Sequence, residues 1–328
     1  MIAFGPVPSR RLGKSLGINN IPAKICSYSC VYCQLGKTTK TRINRQTFYS
    51  PKRIFEEVEN KVDEAKARHE EIDYLTFVPD GEPTLDINLG KEINLLRQIG
   101  IPIAALTNAS IIWDSEVKDC LSKLDFVSLK VDAVSENLWR RINRPHRSLR
   151  VDEILDGIVD FSREFRGIIV TETMLIDDVD YAEEFDGIAD FLAKIRLNKA
   201  YIAVPTRPPA ESWIKLAKEE LINKAFQTFS EKLGQEKVEY LIGYEGNAFA
   251  FTGNVKEDLI SITSVHPMRK EAVEEFLKKA EADWSVVEEM LTEGKLIELE
   301  YEKHRYYMRK IPSRMNLEFE GMDSRILH

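Results

Sequence analysis

Cys26-Ser27-Tyr28-Ser29-Cys30-Val31-Tyr32-Cys33 packs three cysteines into eight residues. Four cysteines in a 328-residue chain are no disulfide framework, and three this crowded point to metal. A structural zinc site wants four protein ligands. The only other cysteine, Cys120, falls far along the chain at a predicted helix end and reads as a buried apolar thiol. Three thiolates suit three irons of a four-iron cubane and leave the fourth iron open.

Outward from this loop, helix and strand alternate. A first strand near 14–20 leads into the cysteines. Ser50-Pro51 supplies an N-cap and a first-turn proline, and Ile54, Val58 and Val62 recur at helical spacing, predicting a helix over 51–70. Strands follow at 72–78, 101–107, 125–131, 167–175 and 199–204. Between and after them come helices near 86–99, 114–122, 135–142, 151–165, 180–196 and 211–233. Six βα units predict a parallel sheet in an open, partial (β/α)6 barrel, with chemistry at the C-terminal strand ends.

The pattern changes after residue 235. Residues 238–252 read as a hairpin turning near Gly246-Asn247, followed by a helix near 255–263. Helices near 269–280 and 284–292, then strands LIELEY and HRYYMR joined at Glu302-Lys303, form a winged-helix-like order. The expected division is a barrel over 1–235, a hairpin and helix connector over 236–264, a small winged-helix-like domain over 265–312, and an irregular tail over 313–328.

Charge is segregated. The chain carries a net −8, yet residues 1–53 hold ten basic residues and no acid. A positive rim around the cysteine loop would favour an anionic visitor. No apolar run is long enough to span a membrane, and the N-terminus does not read as a signal peptide, so the expected location is the cytoplasm.

A CxxxCxxC loop with an aromatic, Tyr32, before its last cysteine, opening a βα barrel, resembles the radical S-adenosylmethionine (SAM) superfamily. The string FGPVPSRRLGKSLGINNIPAKICSYSCVYCQLGKT at 4–38 is similar to one archaeal and bacterial group of iron–sulfur oxidoreductases. That group is related to the enzyme that builds the tricyclic base of wybutosine in tRNA. The resemblance implies a [4Fe–4S] cluster on Cys26, Cys30 and Cys33, and SAM chelating the open iron. It also implies an electron donor such as ferredoxin or flavodoxin, and cleavage of SAM to a 5′-deoxyadenosyl radical.

Further positions match by resemblance. Pro79-Asp80-Gly81-Glu82-Pro83-Thr84 is similar to the segment that receives the SAM ammonium, with Gly81, Glu82 and Pro83 as contacts and Asp80 replacing a usual glycine. Tyr32 and Asn108 take cofactor-binding places, Asn108 toward the ribose, and Val204-Pro205 resembles the adenine-contacting turn.

From periodicity, Ser128, Lys130 and Asp132 share one face of a strand, where a helix-covered sheet should be apolar. Ser128 is expected at the ribose and Lys130 at the SAM carboxylate. Asp132 either orients Lys130 or touches substrate, and Lys130 and Asp132 are the candidate catalytic pair. On the next strand either Thr171 and Thr173 or Glu172 and Met174 face inward. Arg207 is a candidate for a substrate anion or a solvated loop residue, and His146 faces the cavity or the surface.

The substrate is expected to be macromolecular. A protein or peptide, or a partner protein that receives a radical, fits the acidity of 265–310, with nine Lys/Arg against eleven Asp/Glu. RNA is the alternative, through the basic N-terminal segment and a small wing where Tyr306 or Tyr307 could stack on bases. A small metabolite is the third.

Overall fold

The computed structural model describes residues 2–310 apart from 182, 244, 245 and 248. The tail expected at 313–328 lies outside the described residues. Strand β1 (Ala3–Ser9) turns back into β2 (Gly13–Ile18) as an antiparallel pair. The strands that follow are β3 (Tyr74–Phe77), β4 (Ile103–Thr107), β5 (Phe126–Lys130), β6 (Ile168–Met174), β7 (Lys199–Ala203) and β8 (Val238–Leu241). They are parallel to β2 and to each other, in spatial order β1 to β8. No pairing joins β8 to β1 among the described residues, so the sheet is an open, partial barrel.

Helices fill the crossovers: α1 (Pro51–Ala67), α2 (Leu89–Leu96), α3 (Ser115–Leu121), α4 (Glu136–Asn143), α5 (Val151–Glu164), α6 (Glu184–Leu192) and α7 (Glu219–Leu233). The α1 start follows the sequence. Ser50 accepts the Arg53 N–H, and Pro51 sits where no donor is needed. Ile54, Val58 and Val62 are fully buried in the layer between helices and sheet. Each contributes about 1.5–3 kcal/mol by leaving water.

Period two then sorts the strands. Val127 and Leu129 face the helices, while Phe126 faces inward with Leu12, Ala104, Val170, Tyr201 and Leu241. Those six form an apolar floor inside the barrel. Above it the same inward face carries Ser128, Lys130 and Glu172, which line a cavity. The open choice on β6 is thereby decided for Glu172 and Met174.

Three expectations change. β1 was not foreseen; Phe4 and Val7 on it join the C-terminal core. The hairpin at 238–252 is replaced by β8, a parallel strand that extends the barrel sheet. Beyond β8, Phe249 and Ala250 are buried and the Ala250 N–H donates to the Pro6 carbonyl, so this stretch lies against β1 instead of returning along β8. The helix expected from 211 starts at Glu219. Glu211 donates its N–H to the Val31 carbonyl and Leu216 bridges to Ile176, which holds 211–218 as a loop across the strand ends.

The C-terminal part contains α8 (Val255–Val265), β9 (Met268–Arg269), α9 (Lys270–Lys279), α10 (Ser285–Thr292), β10 (Leu296–Tyr301) and β11 (His304–Arg309). Its sheet has the order β10-β11-β9. Leu259 and Ile262 of α8 share one core with Val273, Phe276, Met290 and Phe4. Among the described residues no helix is long and apolar enough to cross a membrane.

Candidate functional site

The cysteine loop leaves β2 at its C-terminal end and is pinned on both sides. Lys24 donates its N–H to the Asp80 carbonyl and Glu82 donates its N–H to the Ile25 carbonyl, joining the loop to the segment after β3. Gly81 is required at this crossing, because a Cβ there would stand 1.9 Å from the Ile25 carbonyl oxygen. On the other side Ser29 and Val31 donate to carbonyls at the end of α4, and His146 donates its N–H to Ser27.

Cys26, Cys30 and Cys33 line one cavity of about 310 Å³ at the C-terminal strand ends. Among the described residues no three His, Cys, Asp or Glu side chains converge on a single ion. Three thiols on one cavity wall suit a cubane, which takes one cysteine per iron. Burial pushes the Cys26 thiol up strongly and the Cys30 thiol up to about 12, with Asp132 adding to Cys30. Cluster binding would replace those thiol protons with iron. Each sulfur also has a side-chain N–H within hydrogen-bonding reach: Asn108 to Cys26 at 3.6 Å, Asn143 to Cys30 at 3.5 Å and Lys24 to Cys33 at 3.8 Å. Three thiols and three donors fit an open-site cluster.

Opposite the loop, Gly81, Glu82, Asn108, Ser128, Lys130, Val204 and Pro205 line the same cavity, as does Tyr32. The Glu82 carboxylate is almost fully enclosed. It accepts from the Thr84 N–H at 3.1 Å, the Thr84 hydroxyl at 2.6 Å, the Thr107 hydroxyl at 2.6 Å and the Asn108 N–H at 2.8 Å. Burial still raises its pKa, outweighing those donors.

Lys130 pairs with Glu172, and Arg11 reaches the same carboxylate from the β1–β2 turn. Burial pushes Glu172 up, but Lys130 and Arg11 outweigh it and hold the carboxyl at about 2. Burial pulls the Lys130 ammonium down, and Glu172 and Asp132 more than reverse that. Its Nζ lies 5.0 Å from the centre of the Tyr32 ring. One carboxylate between two cations leaves net positive charge in the cavity wall.

Two expected residues stand elsewhere. Pro83 does not line the cavity; it starts a 3-10 turn capped by Glu82, and its ring is buried. Asp132 lies beneath the site. It accepts from the Tyr32 hydroxyl, from Asn143 at 2.6 Å and from the Met174 N–H at 2.8 Å. Its carboxylate is committed to fixing those groups, and the direct partner of Lys130 is Glu172. His146 bonds Ser148 outside the cavity. Cys120 is buried in α3 beside Gly90 and does not line the cavity.

The sequence missed Arg10, Arg11 and Gln34, which also line the cavity, and the buried Asn143 behind it. Only the acid-free first 53 residues hinted at the arginines. Arg207 lines the cavity and bonds Gln34 at 2.7 Å. Tyr306 and Tyr307 are both buried, so neither is available to stack on a base.

The chain belongs to the radical SAM superfamily, whose description matches residues 20–192. It is an enzyme whose cofactors are a [4Fe–4S] cluster and SAM. Within that superfamily it is similar to a UPF0026 protein of Methanocaldococcus jannaschii, 51% identical over 314 residues, covering 95% of this chain and 97% of the relative. Its fold is shared by Streptococcus suis SuiB bound to precursor peptide SuiA (TM-score 0.52, 14% identity, 70% of this chain and 49% of that one). It is shared also by TYW1 with a lysine-pyruvate adduct bound (TM-score 0.50, 15% identity, 66% and 73%).

Proposed function

We propose that the protein uses its cluster and SAM to modify a protein or peptide substrate, with Cys26, Cys30 and Cys33 holding the cluster. When bound, cluster and SAM supply a carbon-centred radical that abstracts hydrogen. The protein's own residues do the rest. The Gly81–Glu82 segment orients the amino-acid end of SAM and Ser128 contacts its ribose, while Asn108, its amide held by Ser27 and Ser110, shapes the wall beside the ribose. Lys130, its charge kept by Glu172, meets the SAM carboxylate. Val204 and Pro205 form the wall for the base. Asp132 acts indirectly, by fixing Tyr32 and Asn143. Arg207 stands where an anionic group of the substrate would enter. An acidic small electron carrier, such as ferredoxin or flavodoxin, suits the basic N-terminal segment.

One observation carries the choice of a protein substrate. The part expected to read nucleic acid, the β10–β11 hairpin, has Tyr306 and Tyr307 buried and Arg309 bonded to Ser264 at 3.2 Å. That removes both tyrosines as stacking platforms, leaves only the small exposed set Lys303, Arg305, Arg309 and Lys310 to meet phosphate, and favours a winged-helix-like docking unit or lid. The test is anaerobic incubation of reconstituted enzyme with SAM, reductant and either the protein or the RNA fraction of a cell extract. The reading expects 5′-deoxyadenosine release to be stimulated by the protein fraction and lost on prior proteolysis. Stimulation by the RNA fraction, lost on ribonuclease treatment, contradicts it.

A further inference from the structure

We propose that Asn108, Asn143 and Lys24 raise the reduction potential of the cluster, each turning a side-chain N–H donor, shared in the case of Asn143, toward a different cysteine sulfur. The inference rests on the assignment of Cys26, Cys30 and Cys33 as cluster ligands. The three donors come from three separate parts of the fold. Asn108 follows β4, Asn143 ends α4, and Lys24 precedes the cysteine loop. Chance does not readily supply one donor per sulfur from three places.

Each donor is also held in place. The Asn143 amide is buried, and its two N–H groups are shared among the Asp132 carboxylate at 2.6 Å, the Tyr32 hydroxyl at 3.0 Å and the Cys30 sulfur at 3.5 Å. The Asn108 amide donates to the Ser27 hydroxyl at 2.9 Å and accepts the Ser110 N–H at 3.0 Å. Ser27 and Ser110 bond each other at 2.6 Å, closing a ring around that amide. Lys24 adopts left-handed backbone, φ 65°, which is uncommon for a residue with a Cβ. Its ammonium reaches back over the loop to Cys33 and the Gly36 carbonyl.

The electrostatics fix the sign. Reduction adds a negative charge that spreads over the cluster and its cysteine sulfurs. An N–H aimed at a sulfur stabilises that charge, so each donor raises the potential. Removing a donor without changing shape should make the cluster harder to reduce while leaving its iron in place.

The experiment is a redox titration of the anaerobically reconstituted holoenzyme, followed by the electron-paramagnetic signal of the reduced cluster. Iron and sulfide are counted first. Lys24→Met, Asn108→Leu and Asn143→Leu remove the donors, and Lys24→Arg restores one. Each donor-free variant that holds full iron should show a lower midpoint. The expected shift is up to about tenfold in the reduced-to-oxidised ratio at fixed potential, or about 59 mV for one electron. Lys24→Arg should return toward wild type. Lys24 is half-buried in a loop, so its variants remain informative even where a buried asparagine variant fails to fold. Full-iron variants titrating with the wild type would overturn the proposal. Failure of the wild-type chain to take up iron would overturn the cysteine assignment itself.

Discussion

The hydroxyl of Tyr306, on the second strand of the C-terminal hairpin, donates to the carbonyl of Thr206 at 2.9 Å. Tyr301 does the same to the neighbouring Pro205 carbonyl, also at 2.9 Å. Pro205 and Thr206 line the cavity just after β7. The C-terminal unit therefore braces one wall of the cavity. Each hydroxyl contributes about 0.5–1.5 kcal/mol. The double variant Tyr301→Phe, Tyr306→Phe should keep its iron and bind SAM several-fold more weakly, as measured by equilibrium dialysis. Truncation ahead of α9 should weaken SAM binding further. Unchanged affinity in both would show that the brace does not reach the site.

Glu82 is both a scaffold and a candidate SAM contact, and two substitutions separate the roles. Glu82→Ala leaves four donors facing an empty space, at about 1–3 kcal/mol for each one left unsatisfied. It should lower the thermal midpoint as well as SAM affinity. Glu82→Gln keeps one acceptor oxygen and should cost less stability while still losing the carboxylate charge proposed to meet the SAM ammonium. Equal SAM binding by Glu82→Gln and wild type would remove the charge from the account.

Asp86 and Glu92 form a buried carboxyl pair beside Asn20, away from the cysteines. Burial and the neighbouring Asp86 push Glu92 up to about 9 from 4.5. A raised carboxyl contributes stability below its unfolded pKa and loses it as pH rises through its folded one. The stability of the wild type should therefore decline from about pH 4.5 toward pH 9 through this group. Glu92→Gln lacks that titration, so its stability relative to wild type should rise with pH across the window in urea titrations. A pH-independent difference would contradict the shared burial.

Glu172 shows the opposite sign. Held at about 2 by Lys130 and Arg11, it contributes stability that is fully present above pH 4.5 and lost as pH falls toward 2. Glu172→Gln should flatten that acid limb and destabilise the chain at neutral pH, since two buried cations then face each other. Urea titrations at pH 3 and pH 7 give both numbers. A variant as stable as wild type at pH 7 would mean the ion triad carries no net weight.

The sequence revealed the parts of this architecture that rest on local pattern. Ser50-Pro51 and the Ile54, Val58, Val62 spacing foretold α1, and alternation foretold which face of β5 carries Ser128 and Lys130. The cysteine spacing foretold the cavity around it. What it hid depends on contacts across the chain. β1 exists as a strand because Phe4 and Val7 pack on a C-terminal core that lies more than two hundred residues on. Asn143 is an unremarkable helix-end residue until α4 brings it under Cys30. Asp132 shares the inward alternation of Lys130, yet Tyr32 and Asn143 claim its carboxylate before the cavity does.

The central claim is that three cysteines, and no other residue, hold an open-site cluster that binds SAM. The most direct measurement is Mössbauer and electron-paramagnetic spectroscopy of the reconstituted chain with and without SAM, alongside single alanine variants at Cys26, Cys30, Cys33 and Cys120. The account predicts about four irons per wild-type chain, a reduced signal altered by SAM, and loss of that response in the first three variants but not in Cys120→Ala. A SAM response that survives loss of Cys26, Cys30 or Cys33, or one that disappears with Cys120, would contradict it.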